Sequence, residues 1–266
     1  MKNYIYTYGL TFIVPLFLMI AAALLLNKIG QSIHNKFLSA ALLGFLGLAL
    51  SIIIYFTIRY FQINRGLQPL VVGNFPNLLI GLSIGVAVSV ISGIGYGLAN
   101  GYSFKFDNLL IGLHINTLMN IFPALCEEII FRGGLVHIVI QHAGNFWGLA
   151  AGSIPFGVLH IIGVLFGQTV TFAQIIGITA AGLMLSLVYV NFGIMGSFAC
   201  HLVWNSLVGS WIKVYGIESK GAVSALEGSW VTIIVLLSTS FLLFVLWRSN
   251  PKFSSTKESK LIISNW

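Results

Sequence analysis

Long apolar runs are the feature that most limits how this chain can fold. A transmembrane helix needs about 20 consecutive, mostly apolar residues, and runs of this length recur along most of the sequence. Only 7% of the 266 residues are charged, whereas a soluble domain carries about 25%. The chain is therefore predicted to be an integral membrane protein of all-α class, folded as a polytopic bundle of transmembrane helices.

About eight spans are predicted from these runs and from the polar loops between them. They cover about 5–26, 37–58, 78–98, 109–141, 146–166, 172–190, 192–211 and 230–247. The apolar core of a signal peptide has roughly 7–15 residues, so the longer first run is predicted to be a retained helix. In the third span, Gly81, Gly85, Gly93 and Gly97 have the GxxxG spacing, which indicates close helix packing.

The fourth run is too long for one untilted span, and it contains Pro123. Proline is well tolerated in the first turn of a helix and poorly tolerated in its interior. The proline is therefore predicted to divide the run into an amphipathic or re-entrant stretch and a helix that begins near Pro123. Such a helix would hold Glu127 and Glu128 near its N-terminus, where its dipole favours negative charge.

Charge and sequence organisation indicate one domain, covering residues 1–266. The net charge is +7, but the basic residues lie mostly at the ends of apolar segments, which favours contact with anionic lipid rather than with nucleic acid. Neither an internal repeat nor a low-complexity block divides the chain. Cys126 and Cys200 both lie in apolar runs, and we expect them to be small buried hydrophobic residues, not nucleophiles or a disulfide.

Glu127, Glu128 and Arg132 form the most unusual cluster in the sequence, because the whole chain has only six acidic residues. An ionisable group at the centre of a bilayer costs roughly 2.5–3.5 kcal/mol on insertion scales, so such residues mark a functional site by default. Glu128 and Arg132 are four residues apart and can pair on one helix face. Glu127 points about 100° away from its neighbour on an α-helix. This asymmetry favours Glu127 as the working base.

Two later spans carry polar residues that can meet this cluster. His160 follows Phe156 by four residues, and Asn205 follows His201 by four residues. Each of these polar groups needs a partner in a low dielectric. We therefore expect the three helices to direct their polar groups into one hydrated cavity between the middle and late helices.

The three spacings together resemble a known family. Glu-Glu-x-x-x-Arg at 127–132, Phe-x-x-x-His at 156–160 and His-x-x-x-Asn at 201–205 occur in this order on successive predicted helices. The sequence is similar, over about residues 119–210, to the CPBP family of CAAX-processing type II endopeptidases and bacterial bacteriocin-processing or immunity (Abi) proteins. The compact length and the lack of long loops resemble the bacterial branch.

This resemblance implies an intramembrane glutamate protease that uses neither a metal nor another cofactor. Glu127 and His160 would activate a water, and His201 and Asn205 would stabilise the oxyanion. Three further motif residues would support the site: Glu128, Arg132 and Phe156. The implied substrate is a membrane-associated peptide or protein, and the implied role is bacteriocin processing or immunity. The protein itself would be a multi-pass protein of a bacterial plasma membrane.

Two alternative functions stay open. A glutamate and two histidines can bind zinc, which would make the protein a zinc-dependent membrane protease, although no His-Glu-x-x-His helix is present. The polar cluster can also stabilise a non-catalytic immunity or partner-binding protein. A transporter is disfavoured, because the sequence shows no inverted repeat. The remaining histidines match no motif and are expected to be structural: His34, His114, His137 and His142.

Overall fold

A computed structural model describes residues 9–31, 36–64, 66–68, 70–106, 109–166, 168–217 and 221–249. Within these ranges the regular secondary structure is entirely helical. The helices are α1 (Val14–Gln31), α2 (Lys36–Asn64), α3 (Phe75–Ala99), α4 (Leu109–Glu127), α5 (His137–Ala143), α6 (Asn145–Leu159), α7 (Phe172–Val214), α8 (Ala222–Glu227) and α9 (Trp230–Ser249). Two π-helical segments (Gly9–Ile13 and Glu128–Val136) and a 3-10 segment (His160–Phe166) complete the set.

Five of the described helices contain stretches long and apolar enough to cross a membrane: Phe45–Asn64, Phe75–Ala99, Asn145–Val164, Phe172–Val214 and Trp230–Ser249. A shorter apolar stretch, Thr11–Ala22, lies within the first predicted span. Large apolar side chains such as Phe241 and Leu242 are exposed on the outside of the bundle, as expected for a surface in contact with lipid. The predicted all-α polytopic bundle is confirmed.

Helix α7 is the central element of the bundle. In its apolar 18-residue stretch, 61% of α7 is buried, against 28–33% of the corresponding stretches of the other four spans. It packs against α3, α4, α6 and α9. Its contact with α3 uses the predicted glycines: a Cβ at Gly81 would collide with the carbonyl of Gly196, and a Cβ at Gly85 would lie 2.7 Å from the carbonyl oxygen of Cys200.

The two spans predicted over 172–211 are the two halves of α7, which are separated at Gly193. This residue has φ 73° and ψ −172°, a conformation that glycine adopts at little cost. The break exposes backbone amides, and the loop before α3 pairs with them: Ile194 N–H donates to Val71 O and Met195 N–H donates to Val72 O, both at 2.8 Å. The irregular backbone is therefore satisfied inside the protein, as membrane folds require.

The predicted helix start at Pro123 is wrong. Helix α4 runs through Pro123 to Glu127, and the backbone at Glu127 remains helical, with φ −63° and ψ −42°. A proline inside a membrane helix is tolerated where neighbouring elements satisfy the freed backbone groups. The glutamate pair thus lies within a continuous helical path, so the helix dipole does not stabilise it as predicted.

Candidate active site

Glu128 and Arg132 form a fully buried ion pair. Glu128 Oε1 lies 3.1 Å from Arg132 Nη1, and both side chains are inaccessible to solvent. Arg132 Nη2 also donates to the Gly182 carbonyl of α7 at 3.2 Å. A buried carboxylate or guanidinium without a partner is strongly destabilising. The pair therefore ties the π-helical segment to α7 and compensates most of the charge that Glu128 introduces.

Phe156 joins the ion pair to the two imidazoles. The guanidinium of Arg132 lies 4.5 Å from the centre of the Phe156 ring, within the range of a cation–π contact. The centre of the same ring lies 4.9 Å from that of the His160 ring and 5.7 Å from that of the His201 ring, in edge-to-face contacts. The buried phenyl ring of α6 therefore fixes the positions of three polar side chains from three different elements.

His201 contacts both glutamates. Its Nδ1 lies 2.8 Å from Glu128 Oε1, and its Nε2 lies 3.8 Å from Glu127 Oε2 and 3.1 Å from Asn205 Nδ2. Because a carboxylate accepts only, the Nδ1 atom carries a hydrogen. The Nε2 atom can then accept from Asn205 in the neutral imidazole, or carry a second proton that faces Glu127 in the imidazolium.

Glu127 differs from its neighbour in its surroundings. Its side chain is 17% exposed, and its Oε2 atom is buried without a hydrogen-bond partner among the described residues. The distance of 3.8 Å to His201 Nε2 is too long for a direct hydrogen bond. Glu127 is thus a carboxylate that lies beside an imidazole without a direct hydrogen bond to it; its role as the working base stays a prediction.

His160 stands at the end of α6, where the helix tightens into the 3-10 segment. Its Nδ1 lies 2.7 Å from the Phe156 carbonyl oxygen one turn earlier. A carbonyl accepts only, so Nδ1–H donates and the neutral ring has an unprotonated Nε2. Contacts through Phe156 and His201 therefore link all seven residues predicted for the site. These residues are Glu127, Glu128, Arg132, Phe156, His160, His201 and Asn205.

The π-helical segment Glu128–Val136 begins immediately after Glu127. Such segments have i→i+5 hydrogen bonds and occur frequently at functional sites. At this junction both carboxylates reach the same imidazole, Glu128 at Nδ1 and Glu127 nearer Nε2. The angle of about 100° predicted between the two glutamate side chains assumes a regular α-helix. The change to a π-helix at this point has no recognised signal in the sequence.

Glu227 is a third acidic residue near the site, and no motif predicts it. Gln174 Nε2 donates to Glu227 Oε2 at 2.7 Å, and Ser224 Oγ donates to Gln174 Oε1 at 2.7 Å. Burial raises the pKa of the Glu227 carboxyl, while the hydrogen bond from Gln174 and the nearby imidazoles of His160 and His201 oppose the rise. Glu227 therefore belongs to the electrostatic environment of both imidazoles.

The other cysteines and histidines have structural surroundings. Cys126 and Cys200 are buried free thiols, and Cys126 Sγ lies 3.2 Å from Ser51 Oγ. His137 lies 2.8 Å from the hydroxyl of Tyr189 and 3.1 Å from the Gln68 carbonyl oxygen, so it attaches the loop before α3 to the bundle. His142 Nδ1 lies 2.8 Å from the Ile138 carbonyl oxygen. His34 and the side chain of His114 lie outside the described residues.

The region that carries the site matches one family model. Residues 109–207, from the first residue of α4 to two residues past Asn205, match the model described as type II CAAX prenyl endopeptidase Rce1-like. Residues 109–207 are Rce1-like. The family predicted from the three motifs is thereby confirmed for this region, and the match indicates a membrane protease of the CAAX-endopeptidase type. No curated protein and no solved structure matches the chain.

Proposed function

We propose that this Rce1-like protein is an intramembrane endopeptidase that hydrolyses a peptide bond with a water activated by Glu127 and His160. The observation that carries the proposal is the state of Glu127. Glu127 Oε2 and Glu128 Oε2 are both buried without a hydrogen-bond partner among the described residues. The other oxygen of Glu128 is held by Arg132 and His201, whereas Glu127 has only the 3.8 Å contact with His201 Nε2. A carboxylate oxygen of this kind can accept a proton from a water.

The chemistry follows from the arrangement of the hydrogen-bond donors and acceptors. Glu127, assisted by the unprotonated Nε2 of His160, removes a proton as the water oxygen bonds to the peptide carbonyl carbon. A general base of this kind contributes about 10²–10⁴-fold to the rate. When the C–N bond breaks, the same groups return the proton to the leaving amine.

His201 and Asn205 stabilise the oxyanion in this proposal. Glu128 accepts from His201 Nδ1, which orients the ring with Nε2 toward Glu127 and Asn205. A proton on Nε2 would then let this atom donate to the oxyanion. The amide of Asn205 is adjacent to Nε2, at 3.1 Å, and supplies a second donor. Loss of one preorganised oxyanion donor costs about 10²–10³-fold in rate, so each residue is expected to contribute to catalysis.

The substrate proposed is a membrane-associated peptide or protein, and processing of, or immunity against, a bacteriocin-type peptide is the proposed biological setting. The bacterial plasma membrane is the proposed location. These proposals rest on the resemblance of the three motifs to the bacterial members of the family. No metal or cofactor is included in the mechanism proposed.

The test compares wild type with Glu127→Gln, which keeps the size and polarity of the side chain but removes the base. Both proteins, purified in nanodiscs, are incubated with a library of membrane-associated peptides, and the new termini are identified by mass spectrometry. Cleavage by wild type that falls at least about 100-fold in Glu127→Gln, with equal thermal unfolding temperatures, supports the proposal. Equal cleavage by both proteins overturns it.

Peptidomics of N-termini in cells carrying either protein then identifies the natural substrate. Termini that depend on Glu127 are expected to map to membrane-associated peptides or proteins. A cellular immunity phenotype that persists in Glu127→Gln, without any Glu127-dependent terminus, would instead support the non-catalytic alternative.

A further inference from the structure

One face of α4 carries polar residues that extend away from Glu127. Asn116, Asn120, Pro123 and Glu127 are separated by four, three and four residues, the spacing that places side chains on one face of a helix. The face that bears the proposed base is thus polar over three turns.

Asn116 connects this face to α7. Its Nδ2 atom lies 3.3 Å from Ser210 Oγ and 3.4 Å from the Ser206 carbonyl oxygen. At the other end of the face, Glu127 meets His201. The contacts move toward the C-terminus of α7 as they move toward the N-terminus of α4, so the two helices run antiparallel along a polar seam.

Asn120 lies within this seam but does not join the two helices. Its Nδ2 donates to the Asn116 carbonyl oxygen of its own helix at 2.8 Å, and its Oδ1 accepts no hydrogen bond from the described residues. The side chain is partly exposed. A carboxamide in an apolar setting is costly unless it is hydrogen-bonded, so interhelical packing does not explain Asn120.

Pro123 adds a second acceptor next to Asn120. Proline has no backbone N–H, so the Met119 carbonyl has no i+4 amide from which to accept. Met119 is also exposed at the protein surface. Two oxygen acceptors, Asn120 Oδ1 and Met119 O, therefore lie on α4 within eight residues of Glu127.

We propose that the α4–α7 seam binds the main chain of an extended substrate peptide, with Asn120 Oδ1 and the Met119 carbonyl accepting substrate N–H groups. The inference rests on the proposed function, because it assigns a binding track to the same protease site. Asn120 lies seven residues from Glu127, about 10 Å along the helix, and three residues of an extended chain cover about 10 Å. Asn120 thus meets the substrate about three residues from the scissile bond.

The track recognises the peptide main chain, so it is expected to be tolerant of side chains at that position. The test is a double-mutant cycle with a cleaved peptide from the library and a series in which one amide at a time becomes an ester. The ester removes a single N–H with little change in shape. Asn120→Ala is compared with wild type in nanodiscs for kcat and KM on every peptide.

Asn120→Ala is expected to raise KM about 3- to 10-fold, as expected for one lost hydrogen bond, with a smaller change in kcat. One ester, placed two to four residues from the scissile bond, is expected to raise the wild-type KM equally and to have no further effect in Asn120→Ala. Additive effects of the ester and the variant at every position overturn the proposal. If Asn120→Ala lowers kcat at constant KM, the proposal is also overturned, and the result indicates that the seam conducts water to Glu127 instead of binding the substrate.

Asn191→Ala is the matched control. Asn191 Nδ2 donates to the Leu187 carbonyl oxygen of its own helix α7 and to the Leu243 carbonyl oxygen of α9, so its loss is expected to lower the thermal unfolding temperature while leaving the KM of the folded protein unchanged. The ester series on wild type keeps the proposal testable even if Asn120→Ala fails to fold, since the absence of any sensitive amide overturns it. The affinity of each ester peptide for Glu127→Gln is also measured, because binding to this variant tests the track without cleavage. If wild type cleaves no peptide, the proposed function fails, but these affinities still test the track.

Discussion

His201 Nδ1 and Glu128 Oε1 lie 2.8 Å apart, and this contact joins the central helix α7 to the π-helical segment. The same oxygen lies 3.1 Å from Arg132 Nη1. One carboxylate oxygen therefore compensates a buried cation and orients an imidazole. In the mechanism proposed, Glu128 therefore orients His201 while Glu127 acts as the base.

Glu128→Gln is expected to lower both stability and activity. Removal of one member of a buried ion pair typically costs about 3–5 kcal/mol, because the other charge stays buried. Loss of an outer partner that orients a histidine typically costs about 10–100-fold in activity. Thermal unfolding in nanodiscs and kcat on a cleaved peptide measure the two effects.

Glu128→Asp is the control that separates the effect of the negative charge from the effect of side-chain length. It keeps a negative charge near Arg132 but shortens the side chain, so it should lose less stability than Glu128→Gln and still lose activity through His201. If both variants unfold at the wild-type temperature and keep full activity, Glu128 has neither of the tasks assigned to it.

Gly193→Ala is expected to destabilise the protein. A non-glycine residue at φ 73° is strained by roughly 1–3 kcal/mol, and the new Cβ would lie 2.7 Å from Gly73 N and 2.8 Å from Val71 O. Gly144→Ala is the matched control, because Gly144 has φ 87° with no atom within 4 Å of a Cβ. The control measures strain alone, so an equal drop in unfolding temperature for both variants would contradict the steric role of the Gly193 contact.

Sequence patterns anticipated much of the helical arrangement, and the residues show why. The apolar runs predicted the helices because hydropathy reports directly on burial in lipid. The boundary between the two predicted spans at 190–192 lies close to Gly193, where the helix breaks. The prediction of a helix start at Pro123 was wrong because local propensity disfavours proline inside a helix, while contacts from other helices can override that preference. Propensity is a weak prior in such a setting.

The candidate site was predictable as far as spacing identifies residues that share a face. Glu128 and Arg132 meet because residues four apart meet on any helical turn. Glu227 was missed because it lies in a six-residue helix within a polar interval, and only the tertiary structure brings it toward His160 and His201. The contact of both glutamates with one ring was missed for a related reason, since the π-helical segment has no known sequence signature.

Glu227→Gln is expected to reduce the pH dependence of stability. Burial raises the pKa of Glu227 above its ordinary value of 4.5, so the folded state binds this proton more tightly than the unfolded state. Its contribution to stability is full below pH 4.5 and declines as the pH rises toward the folded pKa. The wild-type unfolding temperature should therefore fall over this interval by more than that of the variant.

Gln174→Leu provides the comparison for this pH effect. It removes the hydrogen bond that lowers the pKa of Glu227, so the decline in stability should extend to higher pH than in wild type. Parallel unfolding curves for wild type, Glu227→Gln and Gln174→Leu between pH 4 and 8 would show that Glu227 does not titrate in this way.

Metal removal is expected to leave the peptidase rate unchanged. The mechanism proposed assigns water activation to Glu127 and His160, and the described residues contain no group of three or more His, Cys, Asp or Glu side chains in a metal-binding arrangement. The nearest resemblance to a ligand set is Glu127 with His201, whose Oε2 and Nε2 atoms are 3.8 Å apart, and no third side chain of these types completes a set among the described residues. The protein is dialysed against a zinc chelator, and its rate and residual metal content are measured together. A rate that falls with the zinc content and returns when zinc is added would replace the glutamate mechanism with the zinc-dependent one.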